Sequence, residues 1–314
     1  MTDAATPPVA VVTAARNMEK YIGETIGSVL QQTLTDFEMI VIDDGSNDAT
    51  AATVTAMADP RVRLISIASA GVSAARNRGL DACRAPLVVF LDADDLLLPD
   101  ALGRMVATMA VHPHHVACFG HYVKIGEDGA PIGSTAPSAL KRLPAKDTLR
   151  HLLCKNVIVN GGALCIRTPV ARSVGGYDPA LRFAEDWEFW CRLATLGDFV
   201  ALPDFGAMQY RVRATGANTA LAGSPFRPNL HALNLIYQAP AVRERFSPRE
   251  LRRFRRLAES NVHWAAARNE LTKGQLLCFA AYLIAGVLRY PGSLFQWRLT
   301  YAFLRGLPFA RQSS

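Results

Sequence analysis

The feature that most constrains this chain is an alternation. Short, wholly apolar runs are separated by segments of helical period, and two of the runs end in clusters of aspartate. Residues 9–13 form a β-branched run, and residues 38–42 form a second one closed by Asp43-Asp44-Gly45-Ser46. Residues 62–67 form a third, and residues 87–91 a continuous fourth closed by Asp92-Ala93-Asp94-Asp95. Between them, 19–32 carries Tyr21, Ile22, Ile26, Val29 and Leu30 at helical spacing, and 48–57, 73–82 and 99–109 read as further helices. Asp48 is expected to cap the second helix, Ser73 to open the third and Pro99 to sit in the first turn of the fourth. Strands that are apolar throughout and alternate with helices predict a sheet covered on both faces, hence an α/β fold with a mostly parallel, Rossmann-like sheet. Ligands of such sheets gather beyond the carboxyl ends of the strands, where both aspartate clusters fall.

After a Gly-, Pro- and Ser-rich loop at 126–144, apolar sequence resumes at 157–166, interrupted by Asn160-Gly161-Gly162. A turn at 174–178 precedes an amphipathic helix over 185–196, rich in Trp187, Phe189, Trp190 and Leu193. Residues 200–212 read as two strands about a Pro-Asp turn, and beyond about 225 the chain becomes helical and basic.

Half of the 314 residues are hydrophobic and 19% are charged, which excludes a chain disordered by composition. A net charge of +7 suits an anionic partner: a nucleotide, a nucleic acid or an acidic membrane surface. The six cysteines form no Cys-x-x-Cys pair and no zinc spacing, so free thiols in a reducing compartment are expected. No charged leader precedes an apolar stretch, so no signal peptide is expected. The most apolar segment, 276–288, falls short of the roughly 20 residues that span a bilayer. Together these predict a cytoplasmic protein.

In the basic tail, Arg243, Arg245, Arg249, Arg252, Arg253, Arg255 and Arg256 crowd one region. The apolar 276–288 follows, and then Phe295, Trp297, Tyr301, Phe303 and Leu304, interleaved with Arg298 and Arg305. Two readings stand: a helical cap on a core with solvated arginines, or a surface lying peripherally on anionic lipid at the inner membrane face. The aromatics cluster with apolar residues and no nucleic-acid motif is present, so no nucleic-acid partner is expected.

Asp92 and Asp94, at alternate positions of a turn, suit one hard divalent cation, Mg²⁺ or Mn²⁺, shared with diphosphate oxygens; the plain alternative is a turn whose carboxylates cap amides. Asp43 or Asp44 can accept a hydrogen bond from a base imino group or a ribose hydroxyl. Arg76 can reach a nucleotide across the strand ends or be a solvated helix arginine. Glu185 and Asp186 open a helix. That placement is ordinary dipole complementarity, or it makes Asp186 a general base whose pKa the helix terminus should lower.

With these residues in place, the sequence resembles the family 2 glycosyltransferases, of the glycosyltransferase A fold, over about residues 9–219. The marks are Val11-Val12-Thr13-Ala14-Ala15-Arg16-Asn17, Ser28-Val29-Leu30-Gln31-Gln32-Thr33 and Ile40-Val41-Ile42-Asp43-Asp44-Gly45-Ser46-Asn47-Asp48-Ala49-Thr50. They continue with Gly71-Val72-Ser73-Ala74-Ala75-Arg76-Asn77-Arg78-Gly79, the run from Phe90 to Asp95, Val174-Gly175-Gly176-Tyr177-Asp178 and the run from Glu185 to Ala194. Each fragment is weak alone, and their order and spacing together are specific.

The resemblance implies inverting transfer from a nucleoside-diphosphate sugar, UDP-linked by first choice, to a hydroxyl of a saccharide or lipid-linked acceptor in surface-glycan assembly. By position, Ala15 lies at the nucleotide, Asp43 and Asp44 hold the base, and Arg76 binds the nucleotide. Asp92 and Asp94 form the Asp-x-Asp element at ribose and metal, and Asp186 is the catalytic base. It also implies a catalytic domain at 1–222, with a nucleotide-binding part at 1–125 and an acceptor part at 126–222, followed by a helical basic region at 223–314.

Two positions depart from the pattern: Ala14 stands where relatives carry Pro, and Arg213 where they often carry His near the metal or diphosphate. Arginine cannot ligate a metal but pairs with diphosphate oxygens. Two rival readings are a sugar nucleotidyltransferase, which would want a Gly-rich loop after the first strand where Thr13-Ala14-Ala15-Arg16-Asn17 has no glycine, and a catalytically inactive sugar-nucleotide binder or membrane adaptor.

Overall fold

The computed structural model describes residues 6–132, 147–158, 160–213 and 226–295. The chain divides into two compact units, Met1–Leu149 with Val157–Ala214 and Arg150–Asn156 with Thr215–Ser314.

The first unit is built on an eight-stranded sheet. β1 (Val9–Ala15), β2 (Glu38–Asp44), β3 (Val62–Ile67) and β4 (Leu87–Phe90) run parallel in the order β3-β2-β1-β4. α1 (Ile22–Leu30), α2 (Thr50–Ala56) and α3 (Val72–Ala82) lie between them in sequence. All seven residues of β2 are buried, as its continuous apolar run requires of a strand covered on both faces. Beyond β4 the order is β7-β6-β8-β5, formed by β5 (Leu96–Leu97), β6 (Ala117–Ile125), β7 (Leu164–Arg167) and β8 (Phe199–Arg211). Here β7 is antiparallel to both neighbours and β5 is antiparallel to β8, while β6 and β8 are parallel. The sheet is therefore parallel where the strand–helix alternation predicted it and mixed in its second half. α4 (Ala101–Val111), α6 (Thr168–Ser173) and α7 (Glu185–Ala194) complete the helices named in this unit, whereas α5 (Thr148–Cys154) belongs from Arg150 onward to the second unit.

The parallel register brings the carboxyl ends of the first strands to one rim, with Ala15 opposite Asp43 and Val12 opposite Phe90. Close packing of α3 fixes that rim. A Cβ on Gly79 would lie 2.3 Å from Cγ1 of Val12, so only glycine lets the helix approach the sheet this closely. Behind the rim, Tyr177 meets Phe90 edge-on at 5.0 Å and Phe189 at 4.4 Å, and Phe189 meets Trp190 at 5.3 Å. This buried aromatic cluster seats α7 and thereby fixes the acidic residues at its start.

Several local expectations change. α2 begins at Thr50 with Ala49 in the cap position, while Asp48 Oδ1 accepts from the Thr50 amide (2.9 Å) and hydroxyl (2.5 Å). α3 begins behind Gly71 with no side-chain cap, and the Ser73 hydroxyl turns instead to the Leu181 carbonyl. Pro99 precedes α4, which starts at Ala101. The segment read as two strands about a Pro-Asp turn is the single strand β8. Pro203 and Asp204 sit where its register with β6 slips, Phe119 facing Ala201 and His121 facing Gly206, so a bulge absorbs the proline. Of the apolar 157–166 only β7 is strand, because Asn160 caps a 3₁₀ turn over Gly161–Ala163. Most of the loop read at 126–144 lies outside the described residues.

The second unit is helical where described: α8 (Phe226–Gln238), α9 (Pro240–Arg243), α10 (Pro248–Thr272) and α11 (Leu276–Arg289), then a 3₁₀ turn over Pro291–Phe295. α10 starts with a capping box between Ser247 and Glu250 and with Pro248 in its first turn. α11 packs on α10 through Gly286, whose added Cβ would lie 3.1 Å from Cβ of His263. The Ser260 hydroxyl donates to the Gly286 carbonyl at 2.8 Å, and Trp264 Nε1 donates to Ser293 Oγ at 3.2 Å. Among the described residues no helix is long and apolar enough to cross a membrane. Trp297, Arg298, Tyr301, Phe303, Leu304 and Arg305 lie outside the described residues.

Candidate active site

The site lies on the rim where β1, β2 and β4 end. Ala15, the last residue of β1, is buried against it. Beyond it Asn17 adopts a left-handed φ of 54° and links the first two strand ends: its amide donates to Ser46 Oγ, and its Oδ1 accepts from the Asn47 amide, both at 3.0 Å. Asp43 Oδ1 accepts from the Ser46 amide at 3.1 Å. Asp44 is committed elsewhere. Its two oxygens accept from the amides of Ala70 (2.6 Å) and Gly71 (3.0 Å), so it organises the loop into α3. Of the two aspartates assigned to the base, the geometry leaves Asp43 with the spare oxygen.

Arg76 organises the site. Its guanidinium donates to Asp92 Oδ1 at 2.6 Å and to Glu185 Oε1 at 2.9 Å, and it lies over the Tyr177 ring at 5.0 Å. The side chain is 11% exposed, so it is not the solvated helix arginine of the plain reading. Burial opposes its charge, but Asp92, Tyr177 and Glu185 outweigh that and hold its pKa above the ordinary value. One cation thus ties the Asp-x-Asp turn after β4 to the first residue of α7.

Asn160 supplies a second tie that sequence reasoning missed. Its Nδ2 donates to Asp92 Oδ2 (3.1 Å) and Asp95 Oδ2 (2.6 Å), while its Oδ1 accepts from the Gly162 amide. The signal available was the polar residue interrupting the apolar run 157–166. Asp95 is fully buried and also accepts from the Arg211 amide at 2.8 Å. Burial, then the charges of Asp92 and Asp94, raise its pKa well above the carboxylate range. Arg211, likewise unpredicted, donates to the Asp94 carbonyl, to the Glu127 carbonyl and to Glu24 Oε2, and it braces the turn from behind.

Asp94 faces Arg213, with Nε 2.5 Å from Oδ2 and both side chains mostly buried. Burial and the Asp92 charge raise the Asp94 pKa, and Arg213 opposes them. Arg213 therefore places a fixed positive charge directly on the Asp92-Ala93-Asp94 turn.

Asp186 lies two residues after Ala184, a non-glycine residue at φ 58° that caps α7 in a left-handed conformation; backbone of this kind is concentrated at functional sites. Its Oδ1 accepts from the Trp187 amide at 2.5 Å. The expected lowering of its pKa by the helix terminus does not occur. Burial and the neighbouring Glu185 charge outweigh the amide and Arg76, and they push the carboxyl up to about 7. A cavity of about 230 Å³ lies elsewhere, beside Glu38 at the start of β2, and its Arg61 and Arg84 are already paired with Asp59 and Glu38.

Comparison with known proteins shows the family and the fold. The family model described as glycosyl transferase family 2 matches residues 10–173. Succinoglycan biosynthesis protein ExoO of Rhizobium meliloti is 33% identical over 215 residues, covering 66% of this chain and 61% of that protein, so the match spans less than two thirds of the relative's length. Among solved structures, residues 1–349 of S. aureus TarS align with a TM-score of 0.63 at 19% identity, covering 89% of this chain and 80% of that one. The mannosyltransferase PcManGT from Pyrobaculum calidifontis, in complex with GDP-Man and Mn²⁺, aligns with a TM-score of 0.62 at 21% identity, covering 98% and 83%. At those identities the likeness is one of fold. With the family model covering just over half of its length, this chain belongs to glycosyl transferase family 2.

Proposed function

We propose that the chain transfers a sugar from a nucleoside-diphosphate sugar, UDP-linked by first choice, to a hydroxyl of a saccharide or lipid-linked acceptor, with inversion, in the assembly of a surface glycan. The observation that carries this reading is the Arg76 bridge, which joins the Asp-x-Asp turn to the start of α7. A donor diphosphate held at Asp92 and Asp94 then lies beside the carboxyl of Asp186. ExoO is named for succinoglycan biosynthesis, and TarS and PcManGT were solved with UDP-GlcNAc and GDP-Man, which supports a nucleotide sugar here.

Among the described residues no group of three or more His, Cys, Asp or Glu converges as a ready cage. Two carboxylates at alternate positions nevertheless suit Mg²⁺ or Mn²⁺, which are commonly held by one or two carboxylates plus substrate phosphates. Asp94 and Asp92 would hold the ion, and it would supply neutralisation of the leaving diphosphate. Asp43 accepts a hydrogen bond from the base, beside buried Ala15. Asp186 takes the proton of the attacking acceptor hydroxyl, a task suited to a carboxyl poised near neutral pH. Arg213, paired with Asp94, adds its fixed positive charge at the diphosphate. The Asp94–Arg213 pair also favours a second reading, in which Arg213 carries the diphosphate charge and the divalent ion is dispensable.

Nucleotide release from UDP-, GDP- and dTDP-sugars, with and without chelator, tests both. Release from one donor that is lost on chelation supports the first reading, and release that survives chelation supports the second. Failure to bind any of the nucleotides sinks both.

A further inference from the structure

The second unit carries a surface that sugar transfer does not use. Leu277, Ala281, Ile284 and Leu288 recur at i, i+4, i+7 and i+11 along α11, which places them on one stripe about 16 Å long. All four are exposed, Leu277 at 89%, Ile284 at 59% and Leu288 at 76%. Every exposed large hydrophobic residue found in this unit, among the described residues, lies on α11. The opposite side of the helix is occupied, since Gly286 is buried against Ser260, His263 and Trp264 of α10. Among the described residues an apolar stripe is therefore left exposed on a helix that is already anchored.

Charge identifies the occupant. Residues 1–222 hold 20 Lys and Arg against 23 Asp and Glu, while residues 223–314 hold 14 against 4. The whole basic surplus thus lies in the tail and not beside the nucleotide site. No acidic residue occurs from 271 to 314, and Lys273 and Arg289 flank the stripe at its two ends. A second copy of the same helix would bring cation against cation. An anionic lipid surface offers headgroups to the basic ends and acyl chain to the stripe. At 14 residues, or about 21 Å, α11 is too short for a hydrocarbon core of about 30 Å, so it lies on the bilayer and does not cross it.

We infer that α11 is a monotopic membrane-docking helix, its stripe of Leu277, Ala281, Ile284 and Leu288 seated in the interface of an anionic leaflet. The inference is independent of the catalytic reading, because none of these residues belongs to the first unit.

Co-sedimentation of the full chain with vesicles tests it, using phosphatidylcholine alone or with about one third phosphatidylglycerol. The unaltered chain should bind the anionic vesicles and lose most of that binding at about 0.5 M salt. Leu277→Ser with Ile284→Ser should weaken partitioning at least about tenfold, equivalent to about 1.4 kcal/mol. Leu196→Ser, at an exposed leucine of the first unit, should leave it unchanged. Circular dichroism confirms that helix content is preserved. Undiminished binding by the double variant, no binding by the unaltered chain, or a stable dimer dissolved by the double variant would overturn the inference.

Discussion

Replacing Asp186 with Asn separates its burial from its chemistry. Its carboxyl is held at about 7 against an ordinary 3.8, with burial the largest cause and Glu185 the next. Below the lower value both folded and unfolded chains carry the proton and the site costs nothing. Between the two values the unfolded chain ionises first, and above about 7 the folded state bears the full cost of the buried charge. The gap between 3.8 and about 7, at about 1.36 kcal/mol per pH unit, sets a ceiling of about 4 kcal/mol. Asp186 is only partly buried, so screening trims this to about 1–2 kcal/mol. Asp186→Asn should therefore raise the melting temperature by about 2–8 °C at pH 8 and leave it nearly unchanged at pH 4. Turnover should move the opposite way. In the unaltered chain it should fall as pH drops through about 7, where the base is lost by protonation. The variant should lose at least about 100-fold in turnover and show no such inflection, with donor affinity intact. Thermal melts at the two pH values and a pH–rate profile with the best donor are the assays. A variant less stable than the parent at pH 8, or one that keeps its turnover, would refute the assignment of a half-buried, proton-accepting carboxyl.

Other consequences follow from the same geometry. Asp94→Asn should abolish transfer while the chain stays folded, as followed by nucleotide release, since it removes the charge that Arg213 and a diphosphate-borne cation share. Arg213→Gln should weaken binding of the nucleoside diphosphate about tenfold in calorimetry and increase the response to added Mn²⁺, because Asp94 is then released. Asn160→Ala should lower stability by about 1–3 kcal/mol by leaving buried Asp95 short of a donor, and should depress activity through misplaced Asp92; denaturant unfolding and initial rates check the two effects. Gly79→Ala should cost about 1–3 kcal/mol in denaturant unfolding, as its Cβ would sit 2.3 Å from Val12.

What was legible in the sequence was whatever local patterning specifies. The continuous apolar runs of β1, β2 and β4, alternating with segments of helical period, point to a covered parallel sheet, and their order places Asp43 and Asp92 at strand ends before any coordinate is known. The spacing of Trp187, Phe189, Trp190 and Leu193 likewise marks α7 and its apolar face. Partners far apart along the chain left no such trace. Arg76 meets Glu185 across 109 positions, Arg211 meets Glu24 across 187, and Asn160 reaches Asp95 across 65. The pKa of Asp186 reversed its expected direction for the same reason. A helix terminus is a local, sequence-readable effect, whereas the burial that raises this pKa most is set by packing, and with the neighbouring Glu185 charge it outweighs the terminus. Period and punctuation are properties of neighbours along the chain and so belong to the sequence. Desolvation and long-range charge pairing depend on what the fold brings together, and only the tertiary structure decides them.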